Sequence, residues 1–316
     1  MNFKVVGVGE VLWDLLPTGP QLGGAPANFA YHAHALGART SLITRVGKDT
    51  LGQAILQRFT QLGLSHATVQ VDEKAPTGTV MVTLSAEGTP HFSICENVAW
   101  DRLESNPVSL KAVRGADAIC FGSLAQRRKQ SRTAVQTMVA VAREQPIRVF
   151  DVNLRQHYFS RELIEESLQL ANVLKLNDSE LPILADMFNL TGSARDQIVR
   201  LAHKFSLQLI ALTRGAEGSL LYQKGRWSDR GSIRNEVVDT VGAGDAFTAA
   251  LVVGLLQKRD LGEINALASE VAGHVCSCAG ATPPLPETIR NRFLPPNPAR
   301  SACPHGARTL TKKKAM

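Results

Sequence analysis

Asp239-Thr240-Val241-Gly242-Ala243-Gly244-Asp245-Ala246-Phe247 is the stretch on which the reading of this chain turns. Its glycines let a backbone approach a ligand closely. Behind them Phe247, Ala250, Leu251, Gly254 and Leu255 fall on one apolar stripe, so a helix begins here. The N–H groups of a helix's first turn have no acceptor inside the helix, and with the helix dipole they form an anion site. Asp245 stands at that start. As an N-cap it would need no ligand at all. Beside an anion nest, however, an acid repels what the nest attracts, and it has a use as the base for an incoming hydroxyl. On residues alone both readings stand.

Outward from this stretch the chain alternates short β-branched runs with longer helical patterns. Strands are expected at 4–8, 41–46, 118–121, 148–150, 173–176, 207–212 and 219–222, and helices at 27–36, 52–62, 132–143, 162–170, 194–205, 246–256 and 264–278. Such alternation predicts an α/β fold with a central, mostly parallel β-sheet flanked by helices. Two segments, about 10–23 and 76–94, alternate apolar with polar or small residues and have no helix between strands; they read as a small β-strand lid. A domain over 1–290 and a basic, disordered tail over 291–316 complete the organisation. The tail carries Pro295, Pro296, Pro298 and Pro304.

In open α/β sheets, ligands bind beyond the carboxyl ends of the strands. Three polar clusters follow successive predicted strands: Asp151-Val152-Asn153-Leu154-Arg155, Asn177-Asp178-Ser179-Glu180 and Thr213-Arg214-Gly215. Each by itself could be a turn or a helix cap. Their coincidence at three strand ends points to a site. Gly23-Gly24-Ala25-Pro26-Ala27-Asn28 is a second glycine-rich turn before a helix, with proline near the first helical position. Asp14 is an acid in the apolar run Glu10-Val11-Leu12-Trp13-Asp14-Leu15-Leu16. Period two puts it on the face opposite Trp13, where sugar hydroxyls would partner its carboxylate.

Bulk properties narrow the classes. Of the net charge of +7 over 316 residues, five positive charges lie in 300–316 with no acid, which leaves +2 for everything before. Nucleic acid is therefore not an expected partner of the folded body. Five cysteines with no CxxC pair argue against a disulfide framework and a zinc site, and for a cytoplasmic location. No apolar run approaches the ~18 residues of a membrane helix, and no signal peptide is evident at the start. Gly47-Lys48 is followed by Asp49, which excludes a P-loop, and Leu12 stands where a Rossmann fingerprint needs its third glycine.

The glycine-rich turn at 23–28, the NxxE element Asn177 to Glu180 and the DTVGAGD run at 239–245 resemble, in this order, the ribokinase-like or PfkB carbohydrate kinases. The resemblance spans about residues 3–290. Gly9-Glu10…Asp14 and Asp151-x-Asn153-x-Arg155 resemble the fructokinase-like branch in particular. The resemblance implies a ribokinase-like fold and an ATP-dependent kinase acting on a sugar hydroxymethyl, with fructose the best guess and 2-keto-3-deoxygluconate or ribose as alternatives. It implies Asp245 as the catalytic base and the N–H groups of Gly242, Ala243 and Gly244 as the anion hole. Asp14, Gly24 and Asn28 would hold the sugar, joined by Asn153 and Arg155. Asn177, Thr213 and Gly215, with Gly242 and Gly244, would meet ATP. Asn177 and Glu180 would organise Mg²⁺ through water, and Asp239 with the Val241 carbonyl would match a site for K⁺. Before Gly280-Ala281 the chain departs from its relatives, with Cys276-Ser277-Cys278 in place of a Val-Thr-Arg-like stretch. A homodimer is expected by resemblance. Arg127 and Arg128 read as a solvated helix start or as contacts to a phosphorylated sugar. A non-catalytic sugar-binding homologue and a nucleic-acid binder acting through the tail are the competing classes.

Overall fold

A computed structural model describes residues 3–16, 19–84, 90–142, 146–231 and 236–294, with the side chains of 82–92 left undescribed. The predicted tail therefore lies outside the described residues except at its first four positions.

Nine strands form one sheet in the order β13-β12-β11-β10-β9-β8-β1-β4-β5. The seven from β11 (Leu209–Thr213) to β5 (Val69–Asp72) are parallel: β10 (Val173–Asn177), β9 (Ile147–Asp151), β8 (Ala118–Gly122), β1 (Lys4–Val8) and β4 (Arg39–Gly47) lie between them. β12 (Ser219–Gln223) and β13 (Arg226–Arg230) add an antiparallel end. Parallel strands buried on both faces read as continuous apolar runs, and β8 (Ala-Ile-Cys-Phe-Gly) is buried along its whole length.

Successive residues of each strand serve opposite faces. Val6, Ile119, Leu174 and Ile210 pack with α3 (Pro107–Arg114), α4 (Lys129–Ala140), α5 (Arg161–Leu170), α6 (Glu180–Met187) and α7 (Ala194–Lys204). Their neighbours Val5, Ala118, Val173 and Leu209 pack with α1 (Ala25–Ala35), α8 (Ala243–Leu256), α9 (Leu261–Cys276) and α10 (Glu287–Phe293). α2 (Thr50–Gln61) packs separately, with Ile55 and Phe59 against Tyr31 and Leu42.

The lid is a second sheet of order β3-β2-β6-β7, built from β2 (Leu12–Leu16), β3 (Gly19–Gly23), β6 (Thr79–Leu84) and β7 (Pro90–Ile94). Its strands fall in the two segments read from the sequence as lid. Leu12, Val80 and Ile94 close onto Trp100, Leu124 and Ala125 of the body. Trp13 turns to the other side, where its Nε1 donates to the Leu51 carbonyl at 3.0 Å, so Asp14 does face away from it.

Arg127 is neither a solvated helix start nor a sugar-phosphate contact. Its side chain is 2% exposed. Nε and one terminal nitrogen donate to Asp101 at 2.7 and 2.8 Å, and the latter also to the Cys95 carbonyl. The guanidinium lies 4.0 Å from the Trp100 ring centroid and 4.6 Å from that of Tyr158. It joins the end of the lid to the body. Arg128 is exposed and pairs with Glu96.

Candidate active site

The three polar clusters do share one edge. Asn177 and Thr213 are register partners at the ends of β10 and β11, and Asp151 ends β9 two residues short of Asn177.

Gly242 occupies the N-cap of α8 with φ +77°, the left-handed region that glycine tolerates best. A Cβ there would lie 2.6 Å from the Ala281 carbonyl oxygen, so no larger residue fits. The cap is thus Gly242, which corrects the N-cap reading of Asp245. Asp245 is the third residue of the helix, after Ala243 and Gly244. Its carboxylate accepts from Asn28 Nδ2 at 2.9 Å, across 217 residues of sequence. Burial pushes Asp245 up to about 7; Asp151 adds to the rise, while Asn28, Lys175 and Arg155 oppose it. The Ala243 N–H also reaches back to the Thr240 carbonyl at 3.3 Å. A carboxyl poised near neutrality beside the N–H groups of a helix start can take a proton from a hydroxyl while an anion rests alongside.

Beneath the glycines lies a buried network in which Asp151 meets two residues that the sequence reading missed, Lys175 and Thr248. Lys175 Nζ sits 3.0 Å from Asp151 Oδ1, with both side chains under one-tenth exposed. The Thr248 hydroxyl is 3.0 Å from Asp151 Oδ2 and 2.9 Å from the Gly244 carbonyl. A Cβ on Gly244 would approach Lys175 Nζ to 3.0 Å, so the ammonium lies directly against the nest. Burial works against that charge, but the carboxylates of Asp151, Glu180 and Asp245 together hold it above the ordinary lysine value. The signal was present: a lysine in the middle of Val173-Leu174-Lys175-Leu176 is a charge inside a buried strand.

On the lid side, burial pushes Asp14 up to about 6, with Arg155 opposing. A Cβ on Gly23 would lie 2.4 Å from Asp14 Oδ2, and one on Gly24, whose φ is +108°, 2.6 Å from the Glu10 carbonyl. The turn that starts α1 therefore fits under the lid only as glycine. Glu10, quoted in the sequence reading without a role, is a further buried acid at 2% exposed; burial raises it and Arg155 offsets part of the rise. Arg155 is exposed, and its charge reaches Glu10, Asp14 and Asp245. Asn153 takes φ +43°, and its carbonyl accepts from Ser123 Oγ at 3.3 Å.

Asn177 ends β10 and closes the turn into α6, whose N-cap is Ser179: Oδ1 accepts from Ser179 N, Ser179 Oγ and Glu180 N at 3.0, 2.7 and 2.9 Å. Glu180 answers by accepting from Asn177 N and Leu154 N. Glu180 is 3% exposed and raised by burial, with Lys175 opposing. Thr213 and Gly215 stand further along the edge, and no hydrogen bond among the described residues joins them to Asp245. Around Gly215 a Cβ would meet open space. Asp239 bridges two segments, accepting from Val241 N through Oδ1 and from Gly280 N through Oδ2, each at 3.0 Å. Cys276 ends α9 and is only partly buried, as is Cys278 beyond it.

Among the described residues no three His, Cys, Asp or Glu side chains converge as a metal cage. One buried glutamate, Glu180, on the strand edge that carries the site fits Mg²⁺, which is held mainly by phosphates and water.

Residues 19–288 match the model of the pfkB family carbohydrate kinase. A protein of Pyrococcus horikoshii described as a sugar kinase is 30% identical over 308 residues, covering 90% of this chain and 94% of its own. A fructokinase of Escherichia coli is also 30% identical, over 303 residues, covering 90% and 97%. The crystal structure of a fructokinase from Vibrio cholerae with fructose, ADP and calcium superposes with a TM-score of 0.78 at 25% identity, covering 93% of this chain and 99% of that one.

Proposed function

This chain belongs to the pfkB family of carbohydrate kinases, and we propose that it transfers the γ-phosphoryl group of ATP to a hydroxymethyl group of fructose. The observation that carries the chemistry is Asp245: a carboxyl pushed to about 7, held by Asn28, at the glycine-lined start of α8. In this reading the sugar hydroxyl lies against Asp245, whose carboxylate accepts its proton. The N–H groups of Gly242, Ala243 and Gly244 receive the charge on the transferring phosphoryl. Lys175, against Gly244, adds a positive charge below that nest. Mg²⁺, when bound, would neutralise phosphate oxygens, and Asn177 and Glu180 would hold it through water. Thr213 and Gly215 line the nucleotide phosphates. Asp239 and the Val241 carbonyl would hold K⁺.

The acceptor side favours a neutral sugar. Asp14, Glu10 and Asp245 surround it, opposed by Arg155, while Lys175 is committed to Asp151. A carboxylated or phosphorylated acceptor would meet more negative charge than positive. Asp14, Gly24, Asn28, Asn153 and Arg155 are the residues assigned to the sugar. The fructokinases among the relatives agree with this choice. The four cysteines among the described residues are free thiols, which supports a cytoplasmic enzyme. No described helix is long and apolar enough to cross a membrane. We take the enzyme to be a homodimer through its lid.

A coupled ADP-release assay with Mg²⁺-ATP, with and without K⁺, tests this across fructose, ribose, glucose and 2-keto-3-deoxygluconate. Fructose should exceed each of the others by roughly tenfold or more in kcat/KM, the scale that a few pocket contacts supply. Preference for 2-keto-3-deoxygluconate, an anion, would overturn the charge argument. No turnover by folded, ATP-binding protein would remove the assignment of Asp245.

A further inference from the structure

Residues 277–286, between α9 and α10, form an irregular strap containing Pro283 and Pro284. Prolines have no N–H to pair with a neighbour, and this strap is held instead by side chains on its carbonyl oxygens. His32 Nε2 lies 2.9 Å from Ala281 O, and the Tyr31 hydroxyl donates to Pro283 O at 3.1 Å. His274 Nε2, from α9, lies 3.0 Å from Pro284 O. The first half of the strap is tied to the loop before α8, where Gly280 N donates to Asp239. Ala281 then closes on Gly242, at the contact that forbids a Cβ there.

His32 has no solvent exposure. Burial pushes it down to about 4, with the Ala281 carbonyl partly offsetting that and His274 adding to it, so the ring is neutral. To bond a carbonyl, Nε2 must carry the proton, which leaves Nδ1 as the acceptor; it is buried with no partner among the described residues. An apolar residue would avoid that unfavourable state. The ring is explained by what its other nitrogen holds. Asn28 and His32 are four residues apart on α1 and so share one face. Through them a single helix face holds both Asp245 and the strap behind Gly242.

We propose that His32 is a positioning residue: through the Ala281 carbonyl it holds the strap against Gly242 and so sets the shape of the anion cradle at the start of α8, with Tyr31 as a second tether. This rests on the reading of that helix start as the phosphoryl cradle. Its effect falls on the nucleotide side of the reaction, because the sugar contacts belong to the other end of α1 and to the lid.

His32→Phe keeps a ring and removes the donor; His32→Gln keeps an N–H at similar reach. In His32→Phe, kcat/KM for ATP should fall about tenfold, a misplacement effect within the range seen for small shifts at a catalytic centre. The sugar KM should stay within about twofold of wild type, and His32→Gln should recover most of the loss. In the ligand-free protein, amide hydrogen exchange over 277–282 should quicken in His32→Phe and not in His32→Gln. Tyr31→Phe should act in the same direction, more weakly, and keeps the question answerable if His32→Phe does not fold. Unchanged ATP kinetics in His32→Phe overturn the proposal. So do equal losses in both His32 variants with equally lowered unfolding temperatures, which would mean that the ring only fills space. Gly242→Ala separates the levels: if it phosphorylates the sugar at the wild-type rate, the cradle reading itself fails. If it loses turnover while His32→Phe is normal, only the role of His32 fails.

Discussion

Replacing Asn28 by alanine removes the one side-chain donor that Asp245 has among the described residues, a bond of 2.9 Å. That bond stabilises the ionised carboxylate, so its loss must raise the pKa of Asp245 further. A hydrogen bond to a charged group contributes about 1.5–3 kcal/mol, and one pKa unit corresponds to about 1.4 kcal/mol. Water entering the space left by the side chain offsets part of this, so the expected rise is about one unit, from about 7 to about 8. The base works deprotonated; activity therefore rises with pH through this pKa, and the acidic limb should move to higher pH. At pH 7 the ionised fraction would drop from about one half to about one tenth, a roughly fivefold loss that fades by about pH 9. The assay is the pH dependence of kcat/KM for the sugar at saturating ATP. ATP phosphates raise the pKa in both proteins, so the displacement between the two curves is the quantity to read. A lost sugar contact lowers the whole Asn28→Ala curve without moving it along the pH axis. Superimposed acidic limbs would refute the coupling of Asn28 to the base, and an Asp245→Asn enzyme that keeps the limb would refute the base itself.

Asp14→Ala should raise the sugar KM by about 10- to 100-fold, the loss of a charged acceptor for hydroxyls, and leave the ATP KM unchanged; equal effects on both would remove Asp14 from the sugar site. Lys175→Met leaves the buried Asp151 carboxyl without its cation, with Thr248 as its one side-chain donor among the described residues. It should cost about 3–5 kcal/mol in urea unfolding, and Asp151→Asn added to it should restore part of that; a loss under about 1 kcal/mol would mean that the pair is solvated. Arg127→Met strips the side-chain cation from the buried Asp101 and the donor from Cys95 O at the lid junction. A destabilisation of about 3–5 kcal/mol is expected for the same reason, and near-wild-type stability would contradict the burial of that cluster.

Much of the architecture was legible because it is written in local pattern. The seven strands read from β-branched runs all recur in the sheet, with ends moved by one or two residues. What escaped had weak pattern. β13 is Arg-Trp-Ser-Asp-Arg, an edge strand whose charges face solvent, and β5 is only four residues long. α6 carries Pro182 in its first turn and is eight residues long, so it read as part of a loop. α3, at eight residues, and α10, at seven, are just as short or shorter.

The candidate site divides in the same way. The glycine nest, the acid that follows it and the polar residues at three strand ends could be named from sequence, because a backbone turn and a helix start are local events. Their partners could not. Asn28 reaches Asp245 only because α1 and α8 pack on the same face of the sheet. Lys175 meets Asp151 only because β9 and β10 pair in one register. Arg127 is buried because the adjacent Trp100 and Asp101 and the distant Tyr158 converge on it from two segments. Residue type and spacing determined the strands, the helix starts and the chemistry on offer. The protonation poise of Asp245, the charge under the nest and the hold on the strap came from tertiary structure alone, since desolvation and hydrogen bonding act between groups brought close by packing, whatever their distance along the chain.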